Sequence, residues 1–476
     1  MAFNSIREFI AALDKSGDIV RVKEQVDWEL EIGAINRRAY EMQGPAVLFE
    51  NIKDYPGQRI IGGSLGTYRR LAISLDLDPD TPVSAIHHEY EKREHKPLKP
   101  AVVETGHCKE NIITGNDIDL SCFAAPMVHD GDGGRYLGTW DIVITKDPET
   151  NWTNWGMYRF MINSPQTLSG DASPVSHLGL ILRKHFLPQN KRFPMALVIG
   201  ADPICHMVAT AGYGIGVDEA DYAGALRKAP VELVKCETND LLVPAHAEMV
   251  VEGEILPDGV APEGPFGEYP GYRTGIARTG ILCRVTAITH RSDPIISMIS
   301  LGVPVDDSSV AAALTAGISI KRRLLKHGLA VTDVYAPPAG VTHLIIVGVK
   351  SGGAETIKRI RDVFLARRVM VNKVIVVDED VDVYDLGQVM HAFAVKCHPI
   401  NGIMISQVPA GKANMLTPCY SYEERRDLKG GLDIFDCTWP PQWPKETLPV
   451  KSSFQGIYPQ ETQDMVLAKW KQYGFK

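Results

Sequence analysis

The sequence lacks the segments that anchor or export a protein, and it lacks a cysteine framework. Nothing in its 476 residues approaches the run of about 18 apolar residues that a membrane-spanning helix needs. The opening residues, MAFNSIREFIAAL, contain no basic region followed by a long apolar run, so no secretory signal is expected. The eight cysteines are dispersed without a Cys-x-x-Cys pair, which argues against a zinc ribbon or a disulfide scaffold and suits a reducing cytosol. We therefore expect a cytoplasmic protein that spans no membrane.

An excess of positive charge is also missing. The 50 Lys and Arg residues against 58 Asp and Glu residues give a formal net charge of −8. Such a chain carries no electrostatic footprint for nucleic acid or for an anionic membrane, so neither partner is expected. Its hydrophobic content of 45% and charged content of 23% are those of an ordinary globular protein. A chain of this length exceeds one core, which predicts two or three domains.

Residues 1–100 have the pattern of a small α+β module without a chemical signature. Ser5 can cap a first helix and Gly17 can end it, because four apolar residues between them fall at helical spacing. Further helices are predicted at 29–42, 67–75 and 83–92, and strands at 19–22, 46–49 and 60–63. The segment 96–100, KPLKP, is a plausible linker.

The pattern changes between residues 101 and 304, where short β-like runs are separated by Gly, Pro and Asp. Runs at 140–145, 195–200, 248–255 and 281–289 predict a mostly antiparallel sheet or barrel. One Ala/Leu/Ile-rich helix follows at 305–328. It ends in a basic run beginning at Lys321, which suits the helix dipole without requiring a ligand.

Strands and helices alternate in the last part of the chain, 329–476. Strands at 343–349, 373–378 and 402–407 enclose helices at 354–368 and 385–397, which predicts parallel βαβ units. A terminal helix is predicted at 459–472.

The run from 262 to 272, PEGPFGEYPGY, places Glu263 and Glu268 five residues apart on a backbone rich in Gly and Pro. The prolines exclude a helix and argue against a regular central strand, so the run is predicted to be an ordered loop. Stiff loops that carry paired acids are common places for proton transfer. A tight turn with two solvated glutamates is the alternative.

Other candidates are weaker when taken singly. The segment 151–159 contains Asn154, two tryptophans and Arg159, which can hold a carboxylate bidentately; a strand with Trp inside and Arg outside is the alternative. His177 and Glu219 each begin a predicted helix, where such residues often have only a structural role. The glycine run 212–216 lacks the G-x-G-x-x-G spacing, and the run 131–136 favours a turn over an anion site.

Taken together, the candidates resemble the UbiD-type decarboxylase family over nearly the whole chain. Supporting runs are EGE at 252–254, EGPFGE at 263–268 and KVIVVDEDVD at 373–382. The block 154–159 and the Trp and Tyr content are most similar to the branch that acts on cinnamic-type and heteroaromatic acids. The six residues that stand in the order and at the spacings of the family are Asn154, Arg159, His177, Glu219, Glu263 and Glu268.

The resemblance implies prenylated FMN, a divalent metal that is usually Mn²⁺, and K⁺. It implies that Asn154, His177 and Glu219 coordinate the metal, which bridges to the flavin phosphate; such a donor set suits a fairly hard six-coordinate cation. Trp155 would place its backbone oxygen near the potassium, and Lys373 would meet the phosphate as a point charge.

The resemblance also implies the catalytic roles. Arg159, beside the cofactor, would form a network with Glu263 and Glu268. Glu268 would deliver the proton, with Arg159 tuning its charge and Glu263 fixing Arg159. The implied reaction is the reversible non-oxidative decarboxylation of an aromatic, heteroaromatic or α,β-unsaturated acid. Carboxylation is an alternative direction, and a flavin prenyltransferase would supply the cofactor.

The implied architecture is a multidomain α+β and α/β fold. Its parts are an N-terminal α+β module (1–100), a central split β-barrel that binds the flavin (101–304), a connecting helix (305–328) and a C-terminal α/β domain with the terminal helix (329–476). The last domain would mediate dimers or hexamers. Two other classes stay open: an FMN oxidoreductase on a similar split barrel, and a non-catalytic or maturation protein that kept the fold. The sequence does not identify the substrate.

Overall fold

The computed structural model describes residues 3–273 and 278–475. Its first hundred residues form helices and strands close to the predicted ones. Ser5 caps the first helix by accepting a hydrogen bond from the backbone N–H of Glu8, and Gly17 ends it at φ 74°. The elements are α1 (Ile6–Ser16), β1 (Ile19–Val22), α2 (Glu31–Glu41), β2 (Ala46–Phe49), β3 (Arg59–Gly62), α3 (Tyr68–Ser74) and α4 (Val83–Glu94).

A nine-stranded antiparallel sheet dominates the centre of the chain, as the spacing of short β-like runs predicts. The strands of the central region are β4 (Ala101–Val103), β5 (Asn111–Thr114), β6 (Tyr136–Gly138), β7 (Asp141–Lys146), β8 (Thr153–Gly156), β9 (Phe160–Ser164), β10 (Thr167–Gly170), β11 (Phe193–Ile199), β12 (Glu232–Lys235), β13 (Leu242–Pro244), β14 (Met249–Glu263), β15 (Arg278–His290) and β16 (Ile295–Met298). Its helices are α5 (His177–Ile181), α6 (Pro203–Ala209) and α7 (Glu219–Arg227). The sheet runs β6-β9-β10-β15-β14-β11-β7-β8, with β5 paired to β15.

The first and central parts of the chain share a core. Strand β16 returns to the first sheet, whose order is β1-β2-β3-β16. Phe9 of α1 lies in the same buried cluster as Trp140 and Val198 of the central region. The domain boundaries at 100, 304 and 328 stay a prediction.

The long helix α8 (Asp307–Lys326) agrees with the predicted helix at 305–328. Asp306 and Ser309 form a reciprocal capping box at its start. Asp307 is fully buried and accepts hydrogen bonds from Tyr40, from Ser64 and from the backbone N–H of Leu65, which fixes the start of α8 to the first sheet.

The C-terminal part is a five-stranded mixed sheet with its own core. Its strand order is β17-β18-β19-β21-β20, and the inner three strands are parallel. Its elements are β17 (Val331–Tyr335), β18 (Leu344–Val349), α9 (Ala354–Leu365), β19 (Lys373–Asp378), α10 (Leu386–Lys396), β20 (Ile403–Val408), α11 (Tyr422–Arg426), β21 (Gly430–Cys437), α12 (Phe454–Ile457) and α13 (Gln460–Ala468).

The prediction of a second parallel βαβ unit is wrong for β20. This strand lies at the edge of the sheet and runs antiparallel to β21, which inserts between β19 and β20. Residues along β20 alternate between exposed and part-buried, as in an edge strand, whereas β19 is nearly continuously buried. Strand β21 was not predicted, because it lies in a segment rich in Pro and aromatic residues, where its alternation of buried and part-buried residues is hard to recognise.

The long strand β14 corrects one feature of the 262–272 run. Pro262 and Glu263 still belong to β14, where they pair with Thr279 and Arg278 of β15, and the loop begins only afterwards. The strand tolerates proline there because its other neighbour, β11, pairs only as far as Ile255, so this end of β14 is an edge.

No helix within the described ranges combines the length and apolar content needed to cross a bilayer.

Candidate active site

Arg159 joins the two glutamates of the 262–272 run. It lies between β8 and β9, and its guanidinium forms a two-pronged ion pair with Glu263, Nε to Oε1 at 2.7 Å and Nη2 to Oε2 at 2.9 Å. Its Nη1 donates to Glu268. Tyr136 of β6 donates from its hydroxyl to Glu263 Oε1 at 3.2 Å. The structure therefore brings the three predicted catalytic residues into one network.

This network is buried, which shifts its protonation equilibria. Glu263 is 1% exposed and Glu268 is 7% exposed. Burial raises the pKa of Glu268, and the charge of Arg159 opposes that rise. The two glutamates raise the pKa of Arg159 against the effect of burial, so it stays a cation. Burial and the nearby Glu263 also raise the pKa of Tyr136, which keeps that hydroxyl a donor.

A glycine-rich turn supports the loop that carries Glu268. The Gly133 N–H donates to the Pro265 carbonyl at 2.7 Å, and Gly267 N–H donates to Asp132 Oδ1 at 3.0 Å. Asp132 Oδ2 lies 2.8 Å from His129 Nδ1, which fixes its carboxylate. The run 131–136 is thus a turn, as favoured from the sequence, and it supports the loop that carries Glu268.

Two of the predicted metal ligands, Asn154 and His177, contact each other, and the third, Glu219, contacts the backbone of the residue after Asn154. The Asn154 Oδ1 and His177 Nδ1 atoms are 2.9 Å apart, and Glu219 Oε2 accepts a hydrogen bond from the backbone N–H of Trp155 at 2.9 Å. Asn154 lies on β8, while His177 and Glu219 are the first residues of α5 and α7. The edge of the Trp152 ring packs against the His177 ring at 5.0 Å.

The donor set of this cluster fits a cation. It offers an amide oxygen, an imidazole nitrogen and a carboxylate, and no Lys or Arg side chain is bonded to it among the described residues. Burial raises the pKa of Glu219 to about 8 and lowers that of His177. The Nδ2 atom of Asn154 is buried without a hydrogen-bond partner, so the cluster is incomplete as a purely structural network.

Lys373 is the predicted residue that the structure does not join to the others. It begins β19 in the C-terminal sheet with an exposed side chain. In the described part of the chain no hydrogen bond or ion pair links it to Asn154, His177 or Glu219.

A cavity of about 630 Å³ opens beside the Arg159 network. Thr139, Met157 and Tyr158 line it from the central sheet, together with Arg159 and Glu268. Further lining residues come from the end of α6, from α8, from α9 and from the segment after α9: Ala209, Thr210, Thr315, Ile320, Arg323, Phe364, Arg368 and Met370. A cavity of this size takes an organic cofactor or a small-molecule substrate.

Comparison with known proteins identifies the family. Models of the N-terminal, Rift-related and C-terminal domains of 3-octaprenyl-4-hydroxybenzoate carboxy-lyase match residues 10–89, 100–304 and 309–434. The chain belongs to the UbiD family. As a UbiD-family decarboxylase it is a carboxy-lyase, which confirms the resemblance seen in the sequence.

Curated UbiD relatives are similar over almost the whole chain. A pyrrole-2-carboxylic acid decarboxylase from Pseudomonas aeruginosa is 32% identical, with 98% of each chain covered. Ferulic acid decarboxylase 1 from Saccharomyces cerevisiae is 30% identical, with 99% of this chain and 98% of the relative covered.

Solved UbiD structures confirm the predicted fold class. The closed form of vanillic acid decarboxylase from Sedimentibacter hydroxybenzoicus superposes with a TM-score of 0.89 at 29% identity over 99% of both chains. Its open form gives 0.83. A UbiD-class enzyme from Pelotomaculum thermopropionicum in complex with FMN gives 0.82 at 29% identity over 98% of this chain and all of that one. The arrangement of this chain is thus more similar to the closed form than to the open form.

Sequence reasoning missed residues that complete the site. Tyr136 and Asp132 were seen only as parts of a glycine-rich turn, and nothing connected them with Glu263 or the Glu268 loop. Arg323 and Arg368 were missed because a helix-end arginine and a post-helix arginine have ordinary structural explanations. Proximity in the fold, which one sequence does not display, is the signal for all four.

Proposed function

We propose that this chain catalyses the non-oxidative, reversible decarboxylation of an aromatic, heteroaromatic or α,β-unsaturated carboxylic acid with prenylated FMN. The observation that carries the proposal is the buried Glu263–Arg159–Glu268 network beside a cavity in a UbiD-family chain. Relatives named for pyrrole-2-carboxylic and ferulic acids support this class of substrate.

Glu268 delivers the proton to the carbon that loses carbon dioxide. Its raised pKa favours the protonated form that a general acid requires, and it lines the cavity. Arg159, held by the two-pronged pair with Glu263, stabilises the carboxylate that Glu268 becomes after donation. The protonated acid is then restored from solvent, so the network returns to its starting charge.

Prenylated FMN, when bound, supplies the electron sink for the negative charge left by carbon dioxide. Structures of UbiD-class enzymes contain FMN or prenylated FMN. Asn154, His177 and Glu219 would hold Mn²⁺ or another divalent cation that anchors the phosphate, with K⁺ near the Trp155 carbonyl. Lys373, at the start of β19, would contact the same phosphate in the loaded enzyme.

Glu219→Ala tests the metal cluster. Removing the only carboxylate should lower bound metal and bound flavin together, since one cation would hold the phosphate. Elemental analysis and flavin absorbance of the purified variant provide the measurement. Wild-type content of both would leave Glu219 as an acid at the start of α7.

An FMN-dependent oxidoreductase is the second candidate, and cofactor loading separates the two. Protein made with a flavin prenyltransferase should release carbon dioxide from at least one acid in a panel of pyrrole, furan and cinnamic acids. Protein made without it should be folded but inactive. If the protein that holds plain FMN instead turns over a substrate robustly when NADH is supplied, that result would support the oxidoreductase.

The same proposal includes the domain boundaries at 100, 304 and 328. It also includes a homo-oligomer, either a dimer or a hexamer. Exposed apolar side chains of the C-terminal part support an oligomer, because Met390 and Val395 of α10 and Ile405 of β20 are 55%, 59% and 77% exposed in the single chain. Flavin prenyltransferase as the cofactor supplier and a cytoplasmic location stay predictions.

A further inference from the structure

Two arginines in the cavity wall form no ion pair with an acidic side chain in the described part of the chain. Arg323 lies near the end of α8 and Arg368 follows α9, and both line the cavity that Glu268 also lines. Among the residues that the structure describes, neither guanidinium forms a hydrogen bond or a salt bridge. The Nε atom of each is buried without a partner.

Two neighbouring basic residues of α8 do form ion pairs with acidic side chains. Lys321 forms ion pairs of 2.9 Å with both Glu91 and Asp333, and Arg322 pairs with Glu94. The helix dipole and these acids account for those two charges. They do not account for Arg323, whose guanidinium instead lies over the Phe364 ring, 5.2 Å from its centroid.

An unpaired, half-buried charge is costly for a fold. Burial lowers the pKa of Arg323, and the positive charge of Arg367 lowers it further. Burial also lowers the pKa of Arg368, although Tyr269 and Asp171 oppose this shift. Natural proteins keep such unfavourable charges where a ligand of opposite charge completes the pair.

The two walls of the cavity carry different charged side chains. The wall from the central sheet holds Arg159 and Glu268, and the wall from α8 and the segment after α9 holds the two unpaired arginines. Ile320, Phe364 and Met370 add apolar surface beside those arginines, which suits a flat ring. A ligand that satisfies both walls is an aromatic acid with a second anionic group.

We propose that Arg323 and Arg368 bind a second carboxylate, so that the preferred substrate is an aromatic or heteroaromatic dicarboxylic acid. This inference rests on the proposed function. One carboxylate leaves as carbon dioxide when its bond to the ring breaks, and the ring carbon takes the proton of Glu268. The other carboxylate is unchanged and is held by the planar N–H groups of the guanidiniums.

The test compares a diacid with its matched monoacid on prenylated-FMN-loaded enzyme. We expect kcat/KM for pyrrole-2,5-dicarboxylate to exceed that for pyrrole-2-carboxylate. Arg323→Gln and Arg368→Gln should each lower kcat/KM for the diacid by about 10²-fold, mainly through KM, because one partner of a desolvated charge pair is lost. The ratio of kcat/KM for the diacid to kcat/KM for the monoacid should therefore fall in both variants, because the monoacid has no second carboxylate for these arginines to bind.

Arg367→Gln is the matched control. It removes the same charge from an exposed residue next to Arg368 that does not line the cavity, so the preference for the diacid should persist. The melting temperature adds a second readout. Arg323→Gln should lower it only slightly, because among the described residues the guanidinium has no ion pair or hydrogen bond to lose and gives up only its contact with the Phe364 ring.

Binding by calorimetry separates this inference from the proposed function. Benzene-1,4-dicarboxylate should bind the loaded wild-type enzyme more tightly than benzoate, whether or not either acid reacts, and Arg323→Gln should abolish the difference. If no acid releases carbon dioxide, the proposed function is contradicted, while the anion subsite is tested separately by the binding affinities. Equal affinities for diacid and monoacid would overturn the anion subsite. Flavin loss from Arg368→Gln, seen by absorbance, would also overturn it, by assigning that arginine to the cofactor phosphate.

Discussion

At the scale of single residues, the site depends on one arginine shared unequally by two glutamates. Glu263 receives two parallel hydrogen bonds from Arg159 and a third from Tyr136, whereas Glu268 receives one contact and faces the cavity. These contacts fix the Glu263 carboxylate, which in turn holds the Arg159 guanidinium in place. Glu268 is therefore the residue suited to gain and release a proton.

Glu268→Gln should separate binding from chemistry. Glutamine keeps the shape and a hydrogen bond to Arg159 but cannot donate a carboxylic proton, so kcat should fall by about 10²–10⁴-fold. Bound flavin and metal should stay at wild-type levels. Turnover assays with flavin absorbance and elemental analysis would measure both, and unimpaired turnover would mean that the proton comes from another group.

The pH profile provides an independent control for the same residue. A general acid must be protonated, so the wild-type rate should fall as pH rises through the pKa of Glu268. Burial raises that pKa, which moves the fall above the ordinary range of a carboxyl group. The residual rate of Glu268→Gln should lack this alkaline limb; a limb that persists unchanged belongs to another group.

At the scale of elements, local signals predicted most of the helices and strands. Capping residues and apolar spacing placed α1 and α8 to within two residues, because their buried faces repeat along the chain. The end of β14 and the direction of β20 could not be predicted in this way. Both depend on which neighbouring strand is absent or inserted, and pairing partners are remote in sequence.

The turn that braces the catalytic loop gives a prediction for Gly133. A Cβ atom at this position would lie 2.1 Å from the backbone oxygen of Gly264, so the loop carrying Glu268 must shift. Gly133→Ala should therefore lower kcat by about 10²-fold, the size expected for misplacing a catalytic group by about 1 Å. Flavin content should change little.

A matched glycine substitution controls for a general loss of stability. Gly431 lies in β21, where an added Cβ would meet only Ser406 O at an ordinary 3.7 Å, so Gly431→Ala should keep wild-type kcat. Equal losses in the two variants would mean that the turn at Gly133 has no special role in placing Glu268.

At the scale of the whole molecule, the cavity lies where separately predicted parts meet. The six spaced residues of the resemblance predicted which side chains of the central region form the Arg159 network, and the metal site that they also predicted stays a proposal. The other cavity wall could not be predicted, because α8 reaches it by packing in two cores, one shared with the first and central parts and one with the C-terminal part.

One buried histidine makes that packing sensitive to pH. His87 of α4 is 1% exposed, and its ring lies 5.8 Å from that of Tyr335 and 5.1 Å from that of Tyr384 in the C-terminal part. Burial lowers its pKa to about 3; the positive charges of His88 and Lys321 act in the same direction, while Asp333 opposes them. The folded protein thus holds a neutral imidazole between its first and last parts.

The sign of the pH effect follows from this lowered pKa. Below about pH 6.5 the unfolded chain binds a proton at this histidine and the folded chain does not. The free energy of unfolding therefore decreases as the pH is lowered. Between pH 7.5 and 5.5 the loss for one such group is about 1.4 kcal/mol.

His87→Phe keeps an aromatic ring without the titration and should show a smaller fall in the urea midpoint than the wild type. His391→Phe, at an exposed position, should fall as the wild type does. If all three proteins lose the same stability, His87 accepts its proton in the folded state and the contact between α4 and the C-terminal sheet does not sense pH.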